Sequence, residues 1–339
     1  MSPQFVDFDA DGKLDIVAGI FDGSPHLSRG TDKGFGAPEQ ILDRDGRRIV
    51  LDQFWNFDTK KWDRATRKAG EPLQLGGGHA TSAIAWDWDG DGDLDLLLGD
   101  HASDHVYLRR NEGTAQVPAF GKDNEELQAG GAPLLVPGTV ATLRVLDWNG
   151  DGKPDLLASG MGDAFQDGPG GGVYVFLNTG DATTVLGAPI TLVPRSTKSD
   201  DQPTRPDAGL YADAFDLDGD GDLDLVVGGY SHWTPKGAAL DEAQQQRVAV
   251  LQVAIATQEA RLQQLQAEVV AAHDKARVGL DEEQANKKYS ELYKARQPER
   301  SEIQKQLQAG KAELDSLVPA VRRESFVWYY ENLAGRTAR

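Results

Sequence analysis

Cysteine is absent from this 339-residue chain, so disulfides and thiolate metal sites are excluded and oxygen ligands are left as the route to any bound metal. No apolar run approaches the roughly 20 residues that span a bilayer, and the opening MSPQFVDFD lacks a basic-then-apolar leader. Positive charge is scarce too. With 35 Lys and Arg against 54 Asp and Glu the net charge is −19, which leaves no basic face for nucleic acid or for an anionic membrane. The imbalance is local: residues 239–324 hold 14 of the acids and 13 of the bases, so nearly all the excess acid lies elsewhere. What remains is 39% hydrophobic, enough for a buried core in one large or two ordinary domains.

The acids recur in a pattern. Four stretches, FVDFDADGKLDIVAG, AWDWDGDGDLDLLLG, VLDWNGDGKPDLLAS and AFDLDGDGDLDLVVG, share an apolar lead-in, a loop with Asp or Asn at positions 1, 3, 5 and 9, Gly at position 6, and an apolar lead-out. The apolar runs end at Gly within a few residues, too soon for helices, and predict strand, loop, strand. Calcium takes about six to eight oxygens at about 2.3 to 2.6 Å, and alternate residues of a tight loop can all aim side chains at one ion. The first loop offers Asp7, Asp9, Asp11 and Asp15 with the Lys13 carbonyl, and the second Asp87, Asp89, Asp91 and Asp95 with the Asp93 carbonyl. In the third these are Asp147, Asn149, Asp151 and Asp155 with the Lys153 carbonyl, and in the fourth Asp216, Asp218, Asp220 and Asp224 with the Asp222 carbonyl.

An EF-hand needs a Glu at position 12, where this chain has Ala18, Leu98, Ala158 and Val227. Ordinary D-G hairpin turns would explain one copy, but not four with the same ligand offsets. Asp43 and Asp45 lack the position 9 carboxylate and read as such a turn.

These loops resemble the calcium loops of FG-GAP/VCBS repeats, the family of the integrin α-subunit propeller. Phrases such as GFGAPEQIL, VLGAPITLV, VYLRRNEG, VYVFLNTG and VWYYENLAG resemble it as well. The resemblance implies four-stranded blades, each calcium loop joining a blade's first two strands. Loops beginning at residues 7, 87, 147 and 216 give one blade per interval. The expected fold is therefore mainly β, a β-propeller of about four blades over residues 1–237, with about four Ca2+ ions. Its last blade resumes at 325–339. Nothing after VWYYENLAG matches the outer strand expected from GFGAPEQIL, which predicts a truncated chain or an incomplete last blade whose edge invites a partner strand.

Residues 238–324 interrupt that blade with a helix-forming composition. Val248, Leu251, Ile255, Gln258, Leu262, Leu265, Val269 and Ala272 step by three and four, a heptad seam that Ile303, Leu307, Gly310, Leu314, Leu317 and Val321 repeat. Gly279 ends the first helix, Asp281 caps the second, and Pro298 starts a third piece or kinks the second. The expectation is an antiparallel coiled-coil hairpin. At about 1.5 Å per residue it extends roughly 55 Å, an arm for partner docking or self-association.

The resemblance places the loops after each blade's second strand on the face opposite the calcium loops. They carry His26, Asp100, His101, Asp104, His105, the Gly-rich segment 161–172, Tyr230, His232 and Trp233, and the stretch 48–79 adds Trp55, Trp62 and His79. This is the expected ligand face, binding protein or carbohydrate through its aromatics. The alternative is an extracytoplasmic polysaccharide hydrolase or lyase using Asp100, His101 or His105. No nucleophile elbow, HExxH or phosphate loop is present, and no residue is assigned a catalytic role. Weak structural calcium sites fill where calcium is abundant, so the protein is expected to be extracellular or periplasmic, its signal lying outside this sequence.

Overall fold

In the computed structural model, which describes residues 3–65, 78–162, 168–197 and 202–333, each Asp-rich stretch folds as strand, loop, strand. The flanking runs are rich in Val, Leu and Ile and stop at glycine, so they pair as antiparallel hairpins. Their register is the same each time. The residue before position 1 faces the Asp at position 9: Val6 opposite Asp15, Trp86 opposite Asp95, Leu146 opposite Asp155, and Phe215 opposite Asp224.

Four sheets result, with strands adjacent in chain order. The first comprises Gln4–Val6, Asp15–Gly19, Pro25–Ser28 and Glu39–Gln40, and the second Ala80–Trp86, Asp95–Asp100, Val106–Arg109 and Glu125–Glu126. The third comprises Val140–Leu146, Asp155–Gly160, Val173–Phe176 and Ile190–Val193. The fourth has three strands, Ala208–Phe215, Asp224–Trp233 and Arg322–Tyr330, and no outer strand pairs with the last of these among the described residues. GFGAPEQIL supplies a shorter outer strand than its length suggests: only Glu39 and Gln40 pair with Leu27 and His26, because Gly34 and Phe35 fold back onto Gly30 and Thr31.

The sheets pack on one another in chain order, and the period-two alternation of each strand feeds both neighbours. Leu96 and Leu98 join Val17 and Leu27 of the first sheet, whereas Leu97 joins Leu143 and Leu156 of the third. Leu157 turns to Leu210 and Val227 of the fourth. Side chains of this size, fully buried, contribute about 1.5 to 3 kcal/mol each. Among the described residues no core cluster joins the fourth sheet to the first.

A second compact unit, Trp233–Arg322, holds two long helices. Helix α1, Glu242–Ala276, starts in a capping box: Asp241 accepts from the Gln244 N–H, and the Gln244 side chain accepts from the Asp241 N–H. Helix α2, Glu282–Leu317, is capped by Asp281, as the sequence predicts. Cross-helix pairs run in opposite order, Arg247 with Glu313, Arg261 with Glu299, and Gln266 with Tyr289. Leu251, Leu265 and Val269 are buried on α1 and Ile303 and Leu307 on α2, all at seam positions, and Gln258 in that seam donates to Gln306.

Two details differ from expectation. Val321 is exposed and outside the helix, because α2 stops at Leu317 ahead of Pro319 and the chain enters a strand at Arg322. No third helical piece begins at Pro298. Helix α2 runs through it, tied to α1 by Arg296 with Glu268 on one side and Glu299 with Arg261 on the other. Neither helix is long and apolar enough to cross a membrane.

Candidate metal loops and an aromatic face

The four loops are built alike by their own backbone. The position 1 carboxylate accepts N–H groups from further round the turn: Asp7 from Asp11 and Gly12, Asp87 from Gly90 and Gly92, Asp147 from Asp151 and Gly152, and Asp216 from Gly219 and Gly221. Closing so tight a turn needs positive φ at positions 4 and 6, filled by glycine in three loops and by Ala10 and Gly12 in the first.

The position 9 carboxylate plays a different part. It is buried in all four loops and accepts from the N–H at position 2 and from an N–H just beyond the third strand. Asp95 takes Trp88 at 3.2 Å and Asn111 at 2.6 Å, while Asp155 takes Trp148 and Asn178. Asp224 takes Leu217 and Asn332, and in the first loop Phe8 and Gly30 donate to Asp15. One side chain thus ties three strands. The Asn that ends a third strand fastens the turn beyond it, since Asn111 Oδ1 accepts from Gly113 and Ala119, and Asn178 Oδ1 from Gly180 and Val185. The repeated Asn is visible in the sequence, but its partners are not.

Carboxylate oxygens converge in three loops. Those of Asp7, Asp9 and Asp15, of Asp87, Asp89 and Asp91, and of Asp216, Asp218 and Asp220 each lie within 4.8 Å of one another. Asp9 Oδ1 is buried without a hydrogen-bond partner, an orphaned acceptor that a cation would satisfy. In the third loop Asn149 interrupts the acidic set and donates to Asp151. The surroundings differ as well. Arg29 contacts Asp9, and Arg110 sits 2.9 Å from Asp89, whereas the matching residues of the last two sheets are Leu177 and Glu331.

Burial, then the charges of Asp91, Asp89 and Asp87, push the Asp93 carboxyl up to about 6, and burial does the same to Asp95. Asp224 moves the other way, held low first by the Asn332 N–H and then by other donors including the Tyr329 hydroxyl. A carboxyl raised in the folded state favours folding below its unfolded value and loses that contribution as pH rises through about 6. A cation bound at the second loop would displace these protons. Its affinity there is therefore expected to fall about tenfold, for each proton displaced, between pH 7 and pH 5, which calcium titrations at the two pH values check.

The residues of the expected ligand face divide into separate settings. Trp55 and Trp62 face each other across a hairpin of Gln53–Asn56 with Lys61–Arg64, rings 6.0 Å apart. Trp62 also meets Phe21 at 5.3 Å and His79 at 4.7 Å, and His79 meets His101 at 4.9 Å. Arg48 anchors the hairpin, bonding the Asp22 side chain and the carbonyls of Asp22 and Trp55. Phe21 and Phe57 are exposed, and with Ile20, Asp22 and Trp55 they line a pocket. Burial and then His101 hold His79 down to about 4, so its ring is neutral. Sequence reasoning missed Phe21, Phe57 and Arg48, which no motif marks.

His26 is occupied locally, by the Ser24 carbonyl at 3.2 Å and Asp22 at 3.5 Å. His105 lies 2.7 Å from Glu126 and packs on Tyr107, whereas His101 packs on His79. Asp100 is buried and bonds Ala102 and Ser103, while Asp104 bonds the Gly138 and Thr139 N–H groups. His232 stacks edge-on against Tyr230, and Arg322 lies over Trp233. Among the described residues no histidine joins a metal-type cluster. Residues 163–167 of the Gly-rich segment and 66–77 of the stretch 48–79 lie outside the described residues.

Sheets in series, each turning through an acidic loop locked to its third strand, define a mainly β repeat protein. Residues 87–158 and 147–227 each match the FG-GAP-like repeat family model, so this part of the chain is similar to FG-GAP-like repeats. The first sheet shows the same loop register and hydrogen bonds outside the matched residues. No curated protein matches the chain.

Proposed function

We propose that the four sheets are blades of β-propeller type, pinned by Ca2+ in the Asp loops, and that the protein is an extracytoplasmic binding or scaffold protein. The observation that carries the metal reading is the buried, unpartnered Asp9 Oδ1 within the Asp7, Asp9 and Asp15 cluster, whose acidic convergence recurs in the second and fourth loops. Side-chain oxygens at positions 1, 3, 5 and 9 and the position 7 carbonyl would hold each ion. Calcium there supplies charge neutralisation and strand cross-linking, with no catalytic role. Blades of this kind with filled loops fit surroundings rich in calcium, hence the extracellular or periplasmic assignment.

The ligand is a protein or a carbohydrate, bound at the aromatic face of Phe21, Trp55, Trp62, His79 and His101. The exposed Phe21 and Trp62 rings, set nearly perpendicular, offer stacking area at low entropy cost. Helices α1 and α2 form an antiparallel coiled-coil arm that presents its outer faces to a partner. Anomalous scattering from crystals grown in calcium tests the metal sites directly, and loops without density at millimolar calcium sink the reading. Asp89→Ala is expected to remove one calcium equivalent from a titration and leave the others unchanged. A glycan array compared with its Trp62→Ala counterpart separates a carbohydrate ligand from a protein one.

A further inference from the structure

Each sheet meets its neighbours through fixed positions in the repeat. Toward the following sheet it presents the residues on either side of the position 1 Asp and alternate residues of its second and third strands. In the third sheet these are Leu146, Trp148, Leu157, Val173 and Val175, all packed with the core shared with the fourth. The same positions of the fourth sheet are Phe215, Leu217, Val226, Val327 and Tyr329. Every one is apolar or aromatic, and among the described residues no sheet covers them: Leu217 is 53% exposed and Val327 79%.

The opposite set of positions faces the preceding sheet. In the second sheet it includes Ala85, Leu96 and Leu98, and in the third Val145, Leu156 and Ala158. Its counterpart in the first sheet is Phe5, Ile16 and Ala18, where Phe5 is 59% exposed. The first and fourth sheets therefore carry the two halves of one interface, the interface already made three times between successive sheets. Patches of this kind on a folded surface mark docking sites.

We infer that these faces bind each other between copies: the fourth sheet of one molecule seats the first sheet of a second, continuing the internal packing. A second copy is the occupant because it carries the surface that matches by repeat position, and because no core cluster among the described residues joins the two faces within one chain. The contact joins different patches of identical molecules, so it is head-to-tail and leads to a closed dimer or a longer array. It rests on sheet packing, not on the proposed metal.

The decisive measurement is the mass of the full chain in solution, by sedimentation at micromolar concentration, with calcium and with chelator. Expected is a species of at least twice the 36.7 kDa chain mass. Phe5→Asp and Val327→Asp should each return it to the single-chain mass with an unchanged circular dichroism spectrum, since both side chains are exposed. Mixing the two variants should restore pairing, because each retains the face the other has lost. A wild-type protein of single-chain mass overturns the contact, as does association that survives either substitution or a mixture that stays unpaired. Loss of the spectrum in chelator reads on calcium and folding instead, and is told apart by that signal.

Discussion

Calcium added to chelated protein is expected to raise its melting temperature by about 10 to 20 °C. At ten times the dissociation constant each filled site stabilises by about 1.4 kcal/mol. Three or four sites then contribute about 4 to 6 kcal/mol, and in a chain of this size each kcal/mol moves the midpoint by about 2 to 4 °C. The direction follows from the loops themselves. Asp87, Asp89 and Asp91 converge, and after burial their charges help to raise the neighbouring Asp93 carboxyl to about 6. A bound cation reverses that effect. Magnesium should do much less, because it demands near-octahedral geometry and keeps its waters. Calorimetry in chelator, magnesium and calcium decides the matter, and three superimposable curves would remove calcium from the account of stability.

Asp95→Ala should cost about 2 to 6 kcal/mol in chelator, and more in calcium, where a ligand of the second loop is lost with it. Asp95 is 1% exposed and accepts the Trp88 and Asn111 N–H groups, one from the loop and one from beyond the third strand. Truncation leaves two buried donors unpaired, at about 1 to 3 kcal/mol each. Asp91→Ala provides the contrast. That side chain is exposed and belongs to the converging trio, so its loss in chelator relieves repulsion and is expected to be neutral or stabilising, while the calcium shift shrinks by one site. Denaturant titrations of the two variants in both buffers separate the carboxylate that ties strands from the one whose main neighbours are other carboxylates. Equal costs in chelator would show that the two positions are not distinct.

The strand-loop-strand hairpins and the helix seam were legible in the sequence because each rests on short-range periodicity, whereas the register came from the structure. Position 9 faces position 0 in every copy, and Leu251, Leu265, Ile303 and Leu307 sit where the three-and-four spacing puts them. The double use of the acidic positions was not legible. Offsets 1, 3, 5 and 9 suggest one ring of equivalent ligands, yet positions 1 and 9 spend oxygens on backbone N–H groups, and the donors beyond the third strand lie 15 to 23 residues from Asp15, Asp95 and Asp155 and 108 from Asp224. The aromatic face was half legible. Trp55, Trp62, His79 and His101 can be named from loop positions, but the Arg48 anchor that holds the hairpin depends on contacts with Asp22 and Trp55 that follow no spacing rule. Val321 illustrates the opposite error, a period extended past a proline that ends it.

The fourth sheet receives its last strand only after the whole of α1 and α2 has been traversed. In an unfolded chain that separation is a long loop, and closing it has an entropic cost that grows with the logarithm of its length. Helices zip locally and fast, and once α1 lies against α2, residues near its start, such as Arg247, stand beside residues near the end of α2, such as Glu313. The helical pair thereby shortens the effective search for Arg322–Tyr330. Folding of the sheet is coupled to folding of the insertion through kinetics, so a substitution at Leu265 would slow completion of a sheet to which that side chain contributes no strand.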